Sequence, residues 1–380
     1  MESDKSWNSF YSVITSNLAS HYYGSIRQLY LHTLSIEYGQ WFSLTRNLTG
    51  LQLLSLEQVK LSPIHSSKID FNHQLATMQC LKEMVISDCS RLILTPMILL
   101  FQRAPRIRKL SVTGSDFNEG DLCSMVSFCN NLTDITLGIE QSRQNGRDLA
   151  GGDTFASALI RHCPRIQCLD LTGLLSLSDT GFVALIKAYG PRLRKLQLRK
   201  APIISTYALS QIAILCNGST LKKLSFGATP GLTDRVLELI MTETATSLEF
   251  LQLDSVEITD KGARAVARHG KSLRQLRMYD LKNLTDISFI SDREAVPLLN
   301  LRQLILHGSP DITEVHDLEN LGAPQLERLE LVGCYCIDEQ LMRKMIRHFS
   351  QLSRFIYVGG HASPEFQKVF SFVIYLILRN

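Results

Sequence analysis

Side chains able to do chemistry gather, in this sequence, at the alternate positions of one recurring apolar pattern. The pattern is L-x-x-L-x-L, as in Leu193 to Leu198. Its third, fifth and seventh residues read Lys195, Gln197, Arg199; Lys223, Ser225, Gly227; Phe250, Gln252, Asp254; Gln275, Arg277, Tyr279; and Gln303, Ile305, His307 in consecutive copies. Catalysis needs titratable groups that converge, such as a nucleophile beside a base or two carboxylates beside one bond. No Ser/His/Asp set and no carboxylate pair emerges, and His307 reads as a hydrogen-bonding contact. The types present suit recognition instead, because Arg, Tyr and Phe are enriched where binding energy concentrates. Phe250, Arg277 and Tyr279 fall on adjacent copies. The candidate partner-binding residues are therefore Lys195, Arg199, Lys223, Phe250, Asp254, Arg277, Tyr279 and His307. No catalytic, cofactor-binding or metal-ligating residue is assigned.

Other chemistry is thinner. The second and third pattern positions carry a basic strip, Lys82, Arg108, Lys109, Arg194, Lys195, Lys222, Lys223, Arg274 and Arg302, which reads as a solvated rim or as a docking strip for an acidic or phosphorylated protein. Cys334 and Cys336 with His348 offer three metal donors where a structural zinc needs four. The polar, glycine-rich stretch from Gly138 to Asp153 reads as an exposed loop, and it contains no Walker or G-x-G-x-x-G motif to cradle phosphate.

The elements that position these residues follow from the period. The pattern begins at Ile26, Leu51, Leu81, Ile107, Leu132, Ile166, Leu193, Leu221, Leu248, Leu273, Leu301, Leu326 and Leu352, with starts 25 to 34 residues apart. A period of that size marks a repeat protein in which each unit packs only on its neighbours. Each copy predicts a short strand whose fourth and sixth residues point inward and whose third, fifth and seventh point to the opposite face. A helix follows, opened in several copies by a capping Ser or Thr and an Asp that suits the helix dipole: Ser178-Asp179, Thr233-Asp234 and Thr259-Asp260. Phe182, Leu185 and Ile186, or Val236, Leu237 and Ile240, supply its buried face. Pro or Gly closes it at Cys163-Pro164, Gly190-Pro191 and Ala323-Pro324. The predicted fold is an α/β solenoid, a right-handed horseshoe of about thirteen repeats over 26–360, with partners bound on the concave strand face. Trp7, Phe10, Tyr11, Ile14 and Leu18 predict a helix that caps the first repeat within 1–25. The apolar tail in 361–380 is expected to cap the last.

Composition bounds the setting. In 380 residues, 45% hydrophobic and 20% charged, the net charge is only +4, too mild for a nucleic-acid binder. Nine cysteines lack zinc or disulfide spacing and read as reduced, buried thiols. M-E-S-D-K-S-W lacks the build of a secretory signal, and a ten-residue apolar run from Val369 to Leu378 is too short for a spanning helix. A cytoplasmic or nuclear protein is expected, with no membrane and no nucleic-acid partner.

The string H-C-P-R-I-Q-C-L-D-L-T-G-L-L-S-L-S-D-T-G-F-V-A-L-I, His162 to Ile186, resembles the cysteine-containing subtype of leucine-rich repeat found in F-box substrate receptors. Cys89 and Cys334 occupy the ninth repeat position, where extracellular leucine-rich repeats usually carry Asn. The F-box itself is not found, since the 25 residues before the first copy lack its L-P-x-E-I/L-L opening. Trp7 to Leu31 resembles the segment that follows the F-box in fungal members. The resemblance implies a non-enzymatic protein-interaction module, recognising substrates for an SCF-type ubiquitin ligase, with the Skp adaptor and cullin as partners if an F-box lies upstream and no cofactor. The alternatives are a stand-alone scaffold without ligase contact and a small-GTPase regulator resembling the Ran GTPase-activating protein, whose repeats are more uniform in length.

Overall fold

The computed structural model describes residues 23–62, 77–89, 94–115, 117–138, 152–216, 220–285, 298–308, 323–333 and 349–358. The capping helix expected at Trp7–Leu18, nearly all of the 138–153 loop, Cys334, Cys336, His348 and the apolar tail lie outside them. Thirteen strands run parallel in the order of the sequence, and each begins two residues after the start of an L-x-x-L-x-L copy. The chain divides into two compact units, Met1–Tyr189 and Gly190–Asn380.

The first unit contains β1 (Gln28–His32), β2 (Leu53–Glu57), β3 (Glu83–Ser87), β4 (Lys109–Thr113), β5 (Asp134–Gly138) and β6 (Cys168–Thr172). Its described α-helices are α1 (Tyr38–Asn47), α2 (Leu94–Arg103), α3 (Glu119–Val126), α4 (Asp153–His162) and α5 (Asp179–Tyr189). A further short parallel pair, Ser35–Glu37 with Lys60–Ser62, was not foreseen from the repeat. The second unit contains β7 (Lys195–Arg199), β8 (Lys223–Gly227), β9 (Phe250–Asp254), β10 (Gln275–Tyr279), β11 (Gln303–His307), β12 (Arg328–Val332) and β13 (Arg354–Val358). Its described helices are α6 (Thr206–Leu215), α7 (Asp234–Thr244) and α8 (Asp260–His269).

Alternation in the strands sorts core from face as the pattern predicts. Leu196 and Leu198 are fully buried, as are Leu224, Phe226, Leu251, Leu253, Leu276 and Met278 in the following copies. Each such side chain contributes about 1.5–3 kcal/mol by leaving water. The backbone locks neighbouring copies together. The carbonyl at the second position of one copy accepts two N–H groups from the next: Arg108 and Lys109 donate to Lys82 O, Lys222 and Lys223 to Arg194 O, Arg274 and Gln275 to Glu249 O. The segments leading into β2–β6 and β8–β13 are thus held at a fixed register.

The helix starts carry a second lock. Ser178, Thr233 and Thr259 stand just ahead of the first helical residue, and Thr233 and Thr259 accept hydrogen bonds from first-turn N–H groups. The acidic residue that opens α4, α7 and α8 reaches out of its own repeat. Asp234 accepts from Thr259 N at 2.9 Å and Thr259 Oγ1 at 2.6 Å. Asp153 holds Ser178 in the same way at 2.9 and 2.5 Å, and Asp260 holds Thr285 at 2.9 and 2.7 Å. Glu119 performs the task for α4, accepting from Gly152 N and Phe155 N. One carboxylate therefore satisfies orphan donors at the next helical turn and sits at its positive end. Gly262 makes room for it: a Cβ there would lie 2.3 Å from Asp234 Oδ1.

Cysteines line the helix-to-strand turns. Cys129 Sγ donates to Met125 O and Cys163 Sγ to Val126 O, and both are fully buried with Cys216. Burial pushes the thiols of Cys163 and Cys216 up to about 12 and raises that of Cys129 further. The thiolate is the reactive form, so at neutral pH these three are expected to stay unlabelled by a thiol reagent in the native protein and to react fully in guanidinium. Peptide mapping of the labelled sites checks this, and labelling of Cys163 in the native state would contradict it.

Candidate recognition face

Strand register lays the odd positions of the second unit out in three rows. The third positions run Lys195, Lys223, Phe250, Gln275, Gln303, Arg328, Arg354; the fifth run Gln197, Ser225, Gln252, Arg277, Ile305, Glu330, Ile356. The seventh run Arg199, Gly227, Asp254, Tyr279, His307, Val332, Val358. Neighbours within a row stand about 4.8 Å apart, the strand spacing.

Six of the eight candidate residues meet in pairs. Arg277 lays its guanidinium over the Phe250 ring, 5.2 Å from the centroid, a cation–π contact across adjacent strands. Tyr279 and His307 pack edge to face at 5.2 Å and 84°. Arg199 pairs with Asp254 two strands away, reaching over Gly227. That reach depends on glycine, because a Cβ at 227 would fall 2.8 Å from Arg199 Nε. Asp254 also accepts from Ser255 Oγ at 2.9 Å. Lys195 and Lys223, the remaining two, are Cα partners at the start of the third row.

Glu330 belongs to this face as well, and the sequence reading stopped one strand short of it. Only 5% exposed, it accepts from Arg328 Nη2 at 2.6 Å and Nε at 2.7 Å, with Arg354 Nε at 3.6 Å and His307 Nε2 at 3.6 Å. The legible signal was Arg328 and Glu330 two apart on one strand face, with Arg354 opposite Arg328 on the next. Ser225, at a face position of its strand, is only 4% exposed. Ser225 Oγ, Arg277 Nε and His307 Nε2 are buried and make no hydrogen bond among the described residues. Since a base must lie within hydrogen-bond reach of a nucleophile, the geometry around Ser225 gives it no activation.

The basic strip is a ladder of mixed sign. Lys222 pairs with Glu249 at 2.6 Å, Arg302 with Glu327 at 3.0 Å and Lys109 with Glu83 at 3.8 Å. The Lys222 ammonium beside Glu249 holds that carboxyl below its usual range. Among the described residues no group of three or more His, Cys, Asp or Glu could hold a metal, and no helix is long and apolar enough to cross a membrane.

No family model matches the sequence. Among solved structures the chain is similar to an internalin (InlF) from Listeria monocytogenes str. 4b F2365, with a TM-score of 0.51 at 15% identity over 90% of this chain and 84% of that one. It is also similar to the structure of the Rad7 and Elc1 complex in yeast, with a TM-score of 0.50 at 16% identity over 75% of this chain and 78% of that one. The parallel strands, their L-x-x-L-x-L register and these likenesses define a leucine-rich-repeat fold.

Proposed function

We propose that this chain recognises a protein target on the open strand face of its second unit, and does so as the substrate-recognition part of an SCF-type ubiquitin ligase. One observation carries the recognition site: on one strand face the Arg277 guanidinium lies over the Phe250 ring at 5.2 Å, beside the edge-to-face Tyr279–His307 pair. Aromatic and Arg anchors grouped in this way are the composition of a binding hot spot. The ligase assignment rests on the cysteine-type repeat, His162 to Ile186. Rad7, similar in fold, was solved in complex with a second protein, Elc1. The mechanism is positional: holding a target near the transfer machinery raises its effective concentration, while the chemistry belongs to other subunits.

The test is a pull-down of the native full-length gene product with purified Skp adaptor, with any coding sequence upstream of Met1 included. Capture of the adaptor supports ligase membership. Failure to capture it, with partner binding still dependent on Arg277, assigns the chain to a stand-alone scaffold. Acceleration of GTP hydrolysis in a single-turnover assay would replace both readings with GTPase regulation.

A further inference from the structure

A pocket of about 330 Å³ opens at the strand lead-ins of the first unit, lined by Lys82, Arg106, Arg108 and Asn131. Its walls are fixed. Lys82 O accepts from the backbone of Arg108 and Lys109, and Arg108 O from Thr133 and Asp134. Asn131 donates to Pro105 O at 2.8 Å and to Asn130 Oδ1 at 3.1 Å, and its own Oδ1 accepts from Arg165 at 2.8 Å. The wall amide is thus already committed, and the three cations are the groups left to act. Lys82, Arg106 and Arg108 are exposed, and none of their side chains makes an ion pair or hydrogen bond among the described residues.

The same repeat position behaves differently elsewhere. Lys222 faces Glu249 and Arg302 faces Glu327 one copy on, so those charges are cancelled within the fold. Lys82 is followed one copy on by Arg108, a like charge on a neighbouring strand lead-in, with Arg106 two residues away. Like charges so placed repel, and an anion seated between them reverses the sign. We infer that this pocket binds a single phosphate group, carried as phosphoserine or phosphothreonine on a protein partner. Two guanidinium forks and one ammonium suit a dianionic, multi-acceptor phosphate better than a carboxylate. A nucleic acid presents a run of phosphates and calls for cations that continue along the edge. Here the equivalent positions on either side are Gln52, Thr133 and Gln167, uncharged; of the third positions Glu83 and Asp134 are acidic and Lys109 is paired with Glu83 at 3.8 Å, and the next cation along the edge, Arg165, is engaged by Asn131 Oδ1. The charge is a point, not a track.

The inference concerns a surface separate from the Arg277 face and stands or falls without it. The probes are bead-bound degenerate peptides with a fixed central phosphoserine, the same peptides with serine, a labelled 20-nucleotide oligothymidylate and phosphatidylserine vesicles. The full chain is expected to prefer the phosphoserine beads over the serine beads. Arg106→Gln with Arg108→Gln is expected to lower that capture about tenfold or more, while Lys222→Gln leaves it unchanged. All variants alter exposed or face residues, and matching thermal melts exclude unfolding as the cause. Equal capture of both bead sets, or capture indifferent to the double substitution, would overturn the inference. So would preferential binding of the oligonucleotide or the vesicles through the same arginines, which would give the pocket to nucleic acid or membrane.

Discussion

Arg277→Glu is expected to lower capture of the chain's protein partner about a hundredfold while moving the melting temperature by no more than about 2 °C. The binding loss has three parts. The guanidinium leaves the Phe250 ring, on which it now sits at 5.2 Å, and a carboxylate faces the negative side of that ring instead. The planar donor fork disappears from the middle of the fifth row, between Gln252 and Ile305. A partner acceptor desolvated against that fork is left facing a like charge, and truncating a buried charge pair at an interface costs about 2–5 kcal/mol. The stability change is small because Arg277 Nε is buried without a hydrogen bond, so its removal relieves a cost that offsets the lost cation–π contact. Arg277→Lys separates charge from shape: it keeps the cation, loses the fork, and is expected to fall between wild type and Arg277→Glu. Quantifying the proteins that copurify with tagged full-length chain, wild type against variant, checks the set. Undiminished capture by Arg277→Glu with Tyr279→Ala would move the recognition site off this face.

The open face tests a third substitution, Gly227→Val. Arg199 crosses this residue to reach Asp254, and a branched side chain in the gap is expected to part the pair while leaving Phe226 and Leu224 in the core. Capture should fall if the partner reads the oriented guanidinium, and crystallography of the variant would show whether Arg199 has swung away.

How much of this could be read beforehand depends on the range of the interaction. The thirteen strands of the main sheet were legible because their signal is local: the two inward apolar residues of each copy sit at fixed spacing, and each of these strands begins two residues into its copy. The Ser/Thr-Asp helix starts were legible for the same reason, since a cap acts within one turn. What Asp234 does was not. Its partner, Thr259, is 25 residues away, and the dipole argument that explains an acidic residue at a helix start is sufficient without it. The signal was present nonetheless, because Asp153 to Ser178, Asp234 to Thr259 and Asp260 to Thr285 share that one offset, and Gly181 and Gly262 recur three residues after a cap. The Phe250, Arg277 and Tyr279 neighbourhood followed from register alone. The Arg199–Asp254 pair did not, because it spans an intervening strand and depends on the missing side chain at 227. Glu330 was missed for a different reason: its strand lies one copy beyond those that supplied the candidate face, although Arg328 two residues before it and Arg354 one copy on marked a carboxylate set among arginines.

The carboxylate lock between repeats makes a prediction that a local cap does not. Asp234→Ala removes two charge-assisted hydrogen bonds, to Thr259 N and Thr259 Oγ1, and leaves a helix-terminal N–H without its partner; a loss of about 2–3 kcal/mol is expected. Gly262→Ala should cost nearly as much by a different route. Alanine is the better helix former by about 1 kcal/mol, so propensity alone predicts stabilisation. Its Cβ, however, would meet Asp234 Oδ1 at 2.3 Å and Ile258 Cγ2 at 2.6 Å, and the carboxylate must withdraw from Thr259. Because both substitutions break the same contact, their effects should not add. The double variant is expected to be about as stable as Asp234→Ala alone, or slightly more so once the collision is gone and the propensity gain is expressed. Denaturant melts of the four proteins give the coupling directly. Additive losses would show that Gly262 acts through Ile258 and not through the aspartate, and a stabilised Gly262→Ala would remove the lock from the account of how one repeat holds the next.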